Sequence, residues 1–368
     1  MSESIVVETS RAWLDVDLDA LVANARAFQA LVRAPLLPMV KANAYGLGAV
    51  AVVRALERVQ PWGYGVATVE EGEELRPIGM TRPIIVFTPL FGPHAPRYAA
   101  ARLRPAIGDL PALEAWLATS TEPFHLEIDT GMRRAGVPWN NAPLLARVVE
   151  LAAAAPGWEG IFTHFHSSDS DPAATQVQWA LFQGVLDGLP RRPRFVHAIN
   201  SGAGVADLGL DADFARPGIY LYGGGVGPHR PRPVAALRAR VVATRRIARD
   251  DTVSYGATWR AERATTIATL GIGYGDGLPR ALSNVGRVEI GGRIYSIAGR
   301  VAMDMTMVDV GDAPVSSGDV ATLFGGLVSL DAQAATAGTI ANELLAVHAR
   351  VVRRYGSGPT DRRTDGTG

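Results

Sequence analysis

Eight short apolar runs recur between residues 36 and 222, with Ala/Leu-rich stretches between them. They occupy residues 36–40, 63–67, 83–87, 104–107, 124–128, 160–164, 195–199 and, less clearly, 211–215. The gaps carry helical patterns, for example at 143–154 and 175–187. Parallel strands need long crossovers, and helices supply them. The alternation therefore predicts an α/β chain with an N-terminal (β/α)8 barrel, although a doubly wound sheet would give a similar periodicity. An extended stretch at 12–18 precedes the first helix and does not fit the eight.

The texture changes after Gly223-Gly224-Gly225. A Pro/Arg-rich connector over 227–233 leads into alternating segments at 236–244, 264–271, 287–290, 293–297 and 305–310, with glycine turns and few helical stretches before about Thr339. That pattern predicts a C-terminal mostly-β domain. The expected division is a barrel over 11–225, with 11–18 as a candidate partner of the β domain, then a β domain over 233–355. The Gly/Ser/Thr/Asp/Arg-rich tail 356–368 is expected to be disordered.

Charge narrows the function. Lys+Arg is 36 and Asp+Glu is 36, which argues against nucleic-acid and membrane-surface binding. No cysteine is present, so disulfides, cysteine-bound zinc, iron–sulfur clusters and thiol nucleophiles are excluded. No apolar run approaches the ~18 residues of a membrane span. The opening residues lack a basic segment followed by an apolar one, so a cytoplasmic location is expected. Of the 36 basic residues, 35 are arginines and one, Lys41, is a lysine. Coding bias explains the arginines, because a surface charge can be either residue. Imine chemistry cannot be done by a guanidinium, whereas a lysine amine can lose its proton and form a Schiff base.

Lys41 follows directly on the first run, and barrel enzymes place reactive groups at the C-terminal ends of strands. The fifth run leads into Asp129-Thr130-Gly131-Met132-Arg133-Arg134, the sixth ends Thr163-His164, the seventh is followed by Asn200-Ser201 and the eighth by Arg216-Pro217-Gly218-Ile219. Loops after barrel strands 7 and 8 commonly bind phosphate through backbone N–H groups. Helix capping and turn chemistry explain each segment separately, but not their occurrence together with Lys41. A Schiff-base lysine with a phosphate cup suggests pyridoxal phosphate.

Together, Val40-Lys41-Ala42-Asn43-Ala44-Tyr45-Gly46, Asp129-Thr130-Gly131-Met132, Thr163-His164-Phe165, Asn200-Ser201, Arg216-Pro217-Gly218-Ile219, Ser254-Tyr255-Gly256, Gly273-Tyr274 with Asp276-Gly277, and Gly299-Arg300-Val301 with Met303-Asp304 resemble the alanine racemase family. The resemblance implies a barrel plus β-domain subunit working as a homodimer with shared active sites, acting on an amino acid and supplying D-alanine for peptidoglycan. It implies pyridoxal 5'-phosphate on Lys41 as a Schiff base, with Lys41 one base and Tyr255, from the partner chain, the opposite base. Arg216 would contact the pyridine nitrogen, which a guanidinium would leave unprotonated. His164 would stand near it. Tyr45, Asn200, Ser201, Gly218 and Ile219 would bind the cofactor on its phosphate side, Arg134 and Met303 the substrate carboxylate, and Asp304 and Tyr274 would support the site. No metal is expected.

Three departures from that family stand out. Many members carry a carbamylated lysine where this chain has Glu127, which suggests a Glu127–Arg134 pair, with a Glu127–Arg133 pair or an exposed strand charge as the alternative. Many carry His at Leu47, and Ala349 stands where a tyrosine is common; both bear on entrance shape. A broader or serine-preferring racemase stays open, since one methylene or hydroxyl discriminates by only about 1–3 kcal/mol. A non-catalytic pyridoxal phosphate carrier would resemble a lone barrel, without the segment around Tyr255.

Overall fold

Six strands, Tyr64–Val66, Ile84–Val86, Arg104–Ile107, Phe124–Asp129, Trp158–Phe162 and Phe195–His197, pair in parallel and in sequence order. The computed structural model describes residues 9–348 and 350–356; Ala349 and the tail from 357 onward lie outside the described residues, while Gly356, expected in the disordered tail, ends the strand Val352–Gly356. The ring closes through the first and eighth runs. Parallel bridges join Met39 to Gly65 and Leu36 to Ala215. Leu37 N–H donates to the Ala215 carbonyl at 2.7 Å, and Asp213 N–H to that of Val196 at 2.8 Å. Pro35, Pro38 and Pro217 break these two members into bridges, because proline has no N–H to give the ladder.

Helices fill the crossovers and start on side-chain caps, which satisfy backbone N–H groups otherwise left without partners. Asp17 caps Leu18–Val32, Asp109 caps Leu110–Thr119, Asn141 caps Ala142–Ala154 and Asp171 caps Pro172–Asp187, the last three with proline in the first turn. A separate apolar cluster of Leu37, Ile85 and Phe214, joined by Trp62, Phe87 and Phe195, fills the barrel interior. Two imidazoles, His125 and His197, are fully buried against it.

The second sheet runs in the order Thr265–Leu270, Thr306–Gly311, Arg293–Ile297, Arg287–Ile290, Val320–Phe324, Ala235–Ile247, Ala12–Asp17, Val352–Gly356. Ala235–Ile247 also pairs with Thr265–Leu270, so six of these strands close on themselves. Ala12–Asp17 lies between Ala235–Ile247, antiparallel, and Val352–Gly356, parallel, which is why it stands outside the eight barrel runs. Arg238 and Arg354 clamp its Asp15 at 2.7 and 2.5 Å. Two short helices, Leu330–Thr336 and Ala341–Ala346, come back to the barrel mouth; the first of them lies in the stretch where the sequence suggested few helices. Among the described residues no helix is long and apolar enough to cross a membrane.

Candidate active site

Lys41 opens a turn of unusual hand. Ala42, Asn43, Ala44 and Tyr45 all have φ between 52 and 55°, a left-handed conformation that costs roughly 1–2 kcal/mol per non-glycine residue. The surroundings enforce it. Ala44 N–H donates to the Val40 carbonyl and Gly46 N–H to that of Ala42, both at 2.8 Å, while Asn43 Oδ1 accepts from Ala49 N–H at 2.7 Å. Glu71 accepts from the N–H groups of Ala42 and Ala67 at 2.6 and 2.7 Å. Gly46, at φ 80°, ends the turn against the Leu345 carbonyl, which a Cβ would meet at 2.4 Å. The left-handed path brings both Lys41 and Tyr45 to one cavity of about 590 Å³ at the C-terminal mouth of the barrel. Burial, then the Arg134 cation, lower the Lys41 pKa, and Glu71 partly offsets them.

The far wall of that cavity is a cup. Gly218 N–H donates to Ser201 Oγ at 2.9 Å, which leaves the serine proton for another acceptor. A Cβ on Gly218 would stand 2.3 Å from the Tyr45 hydroxyl oxygen. Tyr45 stacks on Tyr222 with centroids 4.4 Å apart, and burial pushes its hydroxyl up to about 12, so it is a hydrogen-bond donor at neutral pH. Ile219 lines the same wall. Asn200 also lines it, but its Oδ1 is engaged: it caps the helix Ser201–Ala206 at Ala203 N–H, 2.9 Å, and accepts from Ser168 Oγ at 2.7 Å.

Arg216 is 3% exposed and has no carboxylate partner among the described residues. Its Nη1 donates to His197 Nδ1 at 2.5 Å and to the His197 carbonyl at 2.9 Å; its Nη2 donates to the carbonyls of Thr163 and Ala198 at 2.9 and 3.3 Å. A guanidinium has five N–H groups, so only Nε–H is left for anything in the cavity. Burial brings its pKa down to about 9, still protonated at neutral pH. His164 lines the cavity and is held at about 3 by burial, then by Arg216, Arg134 and Lys41; its imidazole is neutral.

The Glu127–Arg134 pair expected from sequence is not formed. Glu127 is 4% exposed, and its Oε2 has no hydrogen-bond partner. Gly136, at φ 102°, seats its backbone against the Glu127 stem, and the intervening turn carries Arg134 out to the exposed rim of the cavity. Arg133 does not pair with Glu127 either; it binds Asp129 at 3.3 Å. Burial pushes the Glu127 carboxyl up to about 7, with the Arg134 and Arg216 cations opposing.

Tyr255, Met303, Tyr274 and Asp304 lie on the β domain and do not line the Lys41 cavity of their own chain. Tyr255 is 72% exposed, and Met303, Met305 and Tyr274 are exposed as well. Asp304 receives Arg350 at 3.4 Å, and Arg11 clamps the neighbouring Asp276 through two bonds of 2.6 and 2.9 Å. Leu47 is fully buried in the main core and does not line the cavity, so its side chain does not shape the entrance. Nothing in the sequence singled out Glu71, His197 beside Arg216, or Asp331 and Asn342, which reach the cavity from the β domain; each depends on long-range register.

A family model described as alanine racemase, N-terminal domain, matches residues 16–225, and one described as alanine racemase, C-terminal domain, matches 234–355. An alanine racemase of Salinispora arenicola is 35% identical over 379 residues, covering 97% of this chain and 99% of the relative. One of Deinococcus radiodurans is 38% identical over 363 residues, covering 95% and 99%. Among solved structures, alanine racemase from Streptomyces coelicolor A3(2) superposes with a TM-score of 0.90 at 30% identity, over 96% of this chain and all of that one. Alanine racemase from Bartonella henselae with covalently bound pyridoxal phosphate gives 0.87 at 29%, over 94% and 100%.

Proposed function

The chain belongs to the alanine racemase family, and from its site we infer that it interconverts L-alanine and D-alanine with pyridoxal phosphate bound through Lys41, supplying D-alanine to peptidoglycan. The observation that carries this is the meeting, in one cavity, of the chain's only lysine with a donor-lined cup and a buried guanidinium that has one N–H to spare. The cup fits a phosphate: it offers the Tyr45 and Ser201 hydroxyls, and the glycine at 218 lets the Tyr45 hydroxyl approach where a Cβ would collide with it. The spare Nε–H of Arg216 fits a ring nitrogen as acceptor.

Pyridoxal phosphate, when bound, supplies an electron-withdrawing system that acidifies the substrate Cα–H. The chain's part is to anchor, orient and move protons. Inversion requires that a proton leave one face and another arrive on the opposite face. Lys41, with its pKa lowered by burial and Arg134, takes or gives the proton on one face. Tyr255 takes the other role from a second copy of the chain, because its exposed hydroxyl lies on a face of the β domain away from its own cavity. Met303 and Tyr274 on that same face, with Asp304, join the opposing cavity in this homodimer. Arg134, at the rim, takes the substrate carboxylate through its fork of donors. His164, neutral, packs beside Lys41 without competing for its proton. The balanced charge and the absence of any spanning helix among the described residues suit a cytoplasmic enzyme.

The test is interconversion of the two enantiomers of a panel of amino acids by the purified protein loaded with pyridoxal phosphate. Loss of optical rotation to zero is expected fastest with alanine. Bound cofactor with no interconversion of any amino acid would overturn the reading, and a faster rate with serine would replace the substrate.

A further inference from the structure

The barrel axis holds a row of polar side chains that the reaction does not use directly. Arg104 and Glu159 sit at the N-terminal end of the barrel, on strands Arg104–Ile107 and Trp158–Phe162, with Arg104 Nε 2.5 Å from Glu159 Oε2. His125 Nε2 is 3.2 Å from the same oxygen, His125 Nδ1 is 2.9 Å from His197 Nε2, and His197 Nδ1 receives Arg216 at 2.5 Å. The two imidazoles are fully buried among Trp62, Phe162 and Phe214, with His197 stacked between Phe162 at 4.9 Å and Phe214 at 4.4 Å.

Proton positions in this row follow from chemistry alone. A guanidinium can only donate, so His197 Nδ1 is the acceptor and its proton is on Nε2. That proton points at His125 Nδ1, which must accept, so the His125 proton is on Nε2 and points at Glu159. Glu159 is the terminal acceptor, and Arg104 donates to it from the other side. Every bond runs from Arg216 toward the carboxylate. Burial holds both imidazoles below their ordinary pKa, with Glu159 opposing at His125, and so favours the neutral rings that every link requires.

We propose that His125 and Glu159 are positioning residues for Arg216: through His197 they form a one-directional hydrogen-bond relay along the barrel axis that fixes the guanidinium with Nε–H alone directed to the cofactor ring. This rests on pyridoxal phosphate being the occupant of the cavity. The relay also gives a fully buried cation a carboxylate counter-charge, delivered through two polarised rings instead of by contact. Without the carboxylate, His125 can flip its proton to Nδ1. The flip propagates to put N–H of His197 against N–H of Arg216, and the guanidinium loses a partner.

Two measurements test this separately. In the cofactor-free wild-type chain labelled with ¹⁵N-histidine, which holds seven histidines, His125 and His197 should both read as neutral Nε2–H tautomers at pH 8. An Nδ1–H or cationic ring at either position would overturn the relay whatever the cavity binds. In H125F and E159Q, pyridoxal phosphate should bind the cofactor-free chain about tenfold more weakly, for one lost charge-assisted bond, and the imine absorption band should shift. The kcat should fall about tenfold with KM within twofold. Unchanged affinity and spectrum in both folded variants would overturn the positioning role. A wild-type chain that binds no pyridoxal phosphate would instead sink the cofactor reading and leave the tautomer result standing on its own.

Discussion

Replacing Glu127 by glutamine should stabilise the cofactor-free protein at pH 8, and the structure sets the size of the effect. The carboxyl is 4% exposed, with one oxygen unpartnered, and burial raises its pKa from 4.5 to about 7. A group whose folded pKa is raised binds more protons in the native state, so stability falls as pH rises between those two values. Below pH 4.5 the acid is neutral in both states and nothing is lost. Above pH 7 the full penalty applies, about 3 kcal/mol for a rise of that size. An unmade hydrogen bond on a buried acceptor gives a similar figure, roughly 1–3 kcal/mol. Glutamine copies the shape of the protonated acid and carries no charge, so E127Q should remove the slope. Urea unfolding at pH 5 and pH 8, on wild type and E127Q without cofactor, measures it. Wild type should lose stability between the two pH values, and the variant should exceed it at pH 8 by up to about 3 kcal/mol. A Glu127 paired with Arg134 would give the opposite sign: stability lost in the variant at pH 8 and equal at low pH. That result would refute the reasoning.

Borohydride reduction of the loaded protein should fix pyridoxal phosphate on Lys41 alone, and Lys41→Ala should abolish racemisation; label on the N-terminal amine, with activity intact in the variant, would contradict it. Mixing Lys41→Ala with Tyr255→Phe subunits should restore about a quarter of wild-type activity, because half of the random dimers contain one site with both native groups; no recovery after confirmed exchange would place both groups on one chain. Gly218→Ala should weaken pyridoxal phosphate binding by roughly 1–3 kcal/mol, since the added Cβ would sit 2.3 Å from the Tyr45 oxygen, and equilibrium dialysis giving wild-type affinity would show the cup to be roomier than described.

The barrel was legible because each run is a local signal: a few β-branched residues between turns. Closure was not, since bridges at Leu36 and Met39 replace regular ladders where prolines intervene. The strand Ala12–Asp17 reads as extended, yet its partner Val352–Gly356 lies at the other end of the chain, beyond any periodicity argument. Lys41 stood out by composition, because a surface lysine is exchangeable for arginine whereas an amine that must lose its proton is not. The relay could not be read, as His125 and His197 are 72 residues apart and meet only through the register of parallel strands. Glu127 and Arg134 failed for a related reason. The family resemblance suggested that they pair, but glycines at 131 and 136 with positive φ turn the chain so that one goes inward and the other to the rim.

On the roles proposed for Lys41 and Arg216, their contrast accounts for one lysine among 35 arginines. At 216 the requirement is a cation that never yields its proton while fully buried. A guanidinium meets it because its donors are spread in a plane, so His197, Thr163 and Ala198 can satisfy four of them at once. An ammonium would offer three donors from one point, and burial would drive it to neutrality. At 41 the requirement is reversed. The amine must give up its proton to bond to carbon, and burial with a nearby cation drives it that way. Burial and the Arg134 cation act on both groups, so similar surroundings select opposite residues according to whether the proton must stay or leave. A drift that exchanges lysine for arginine over the surface is therefore free everywhere except where deprotonation is the function.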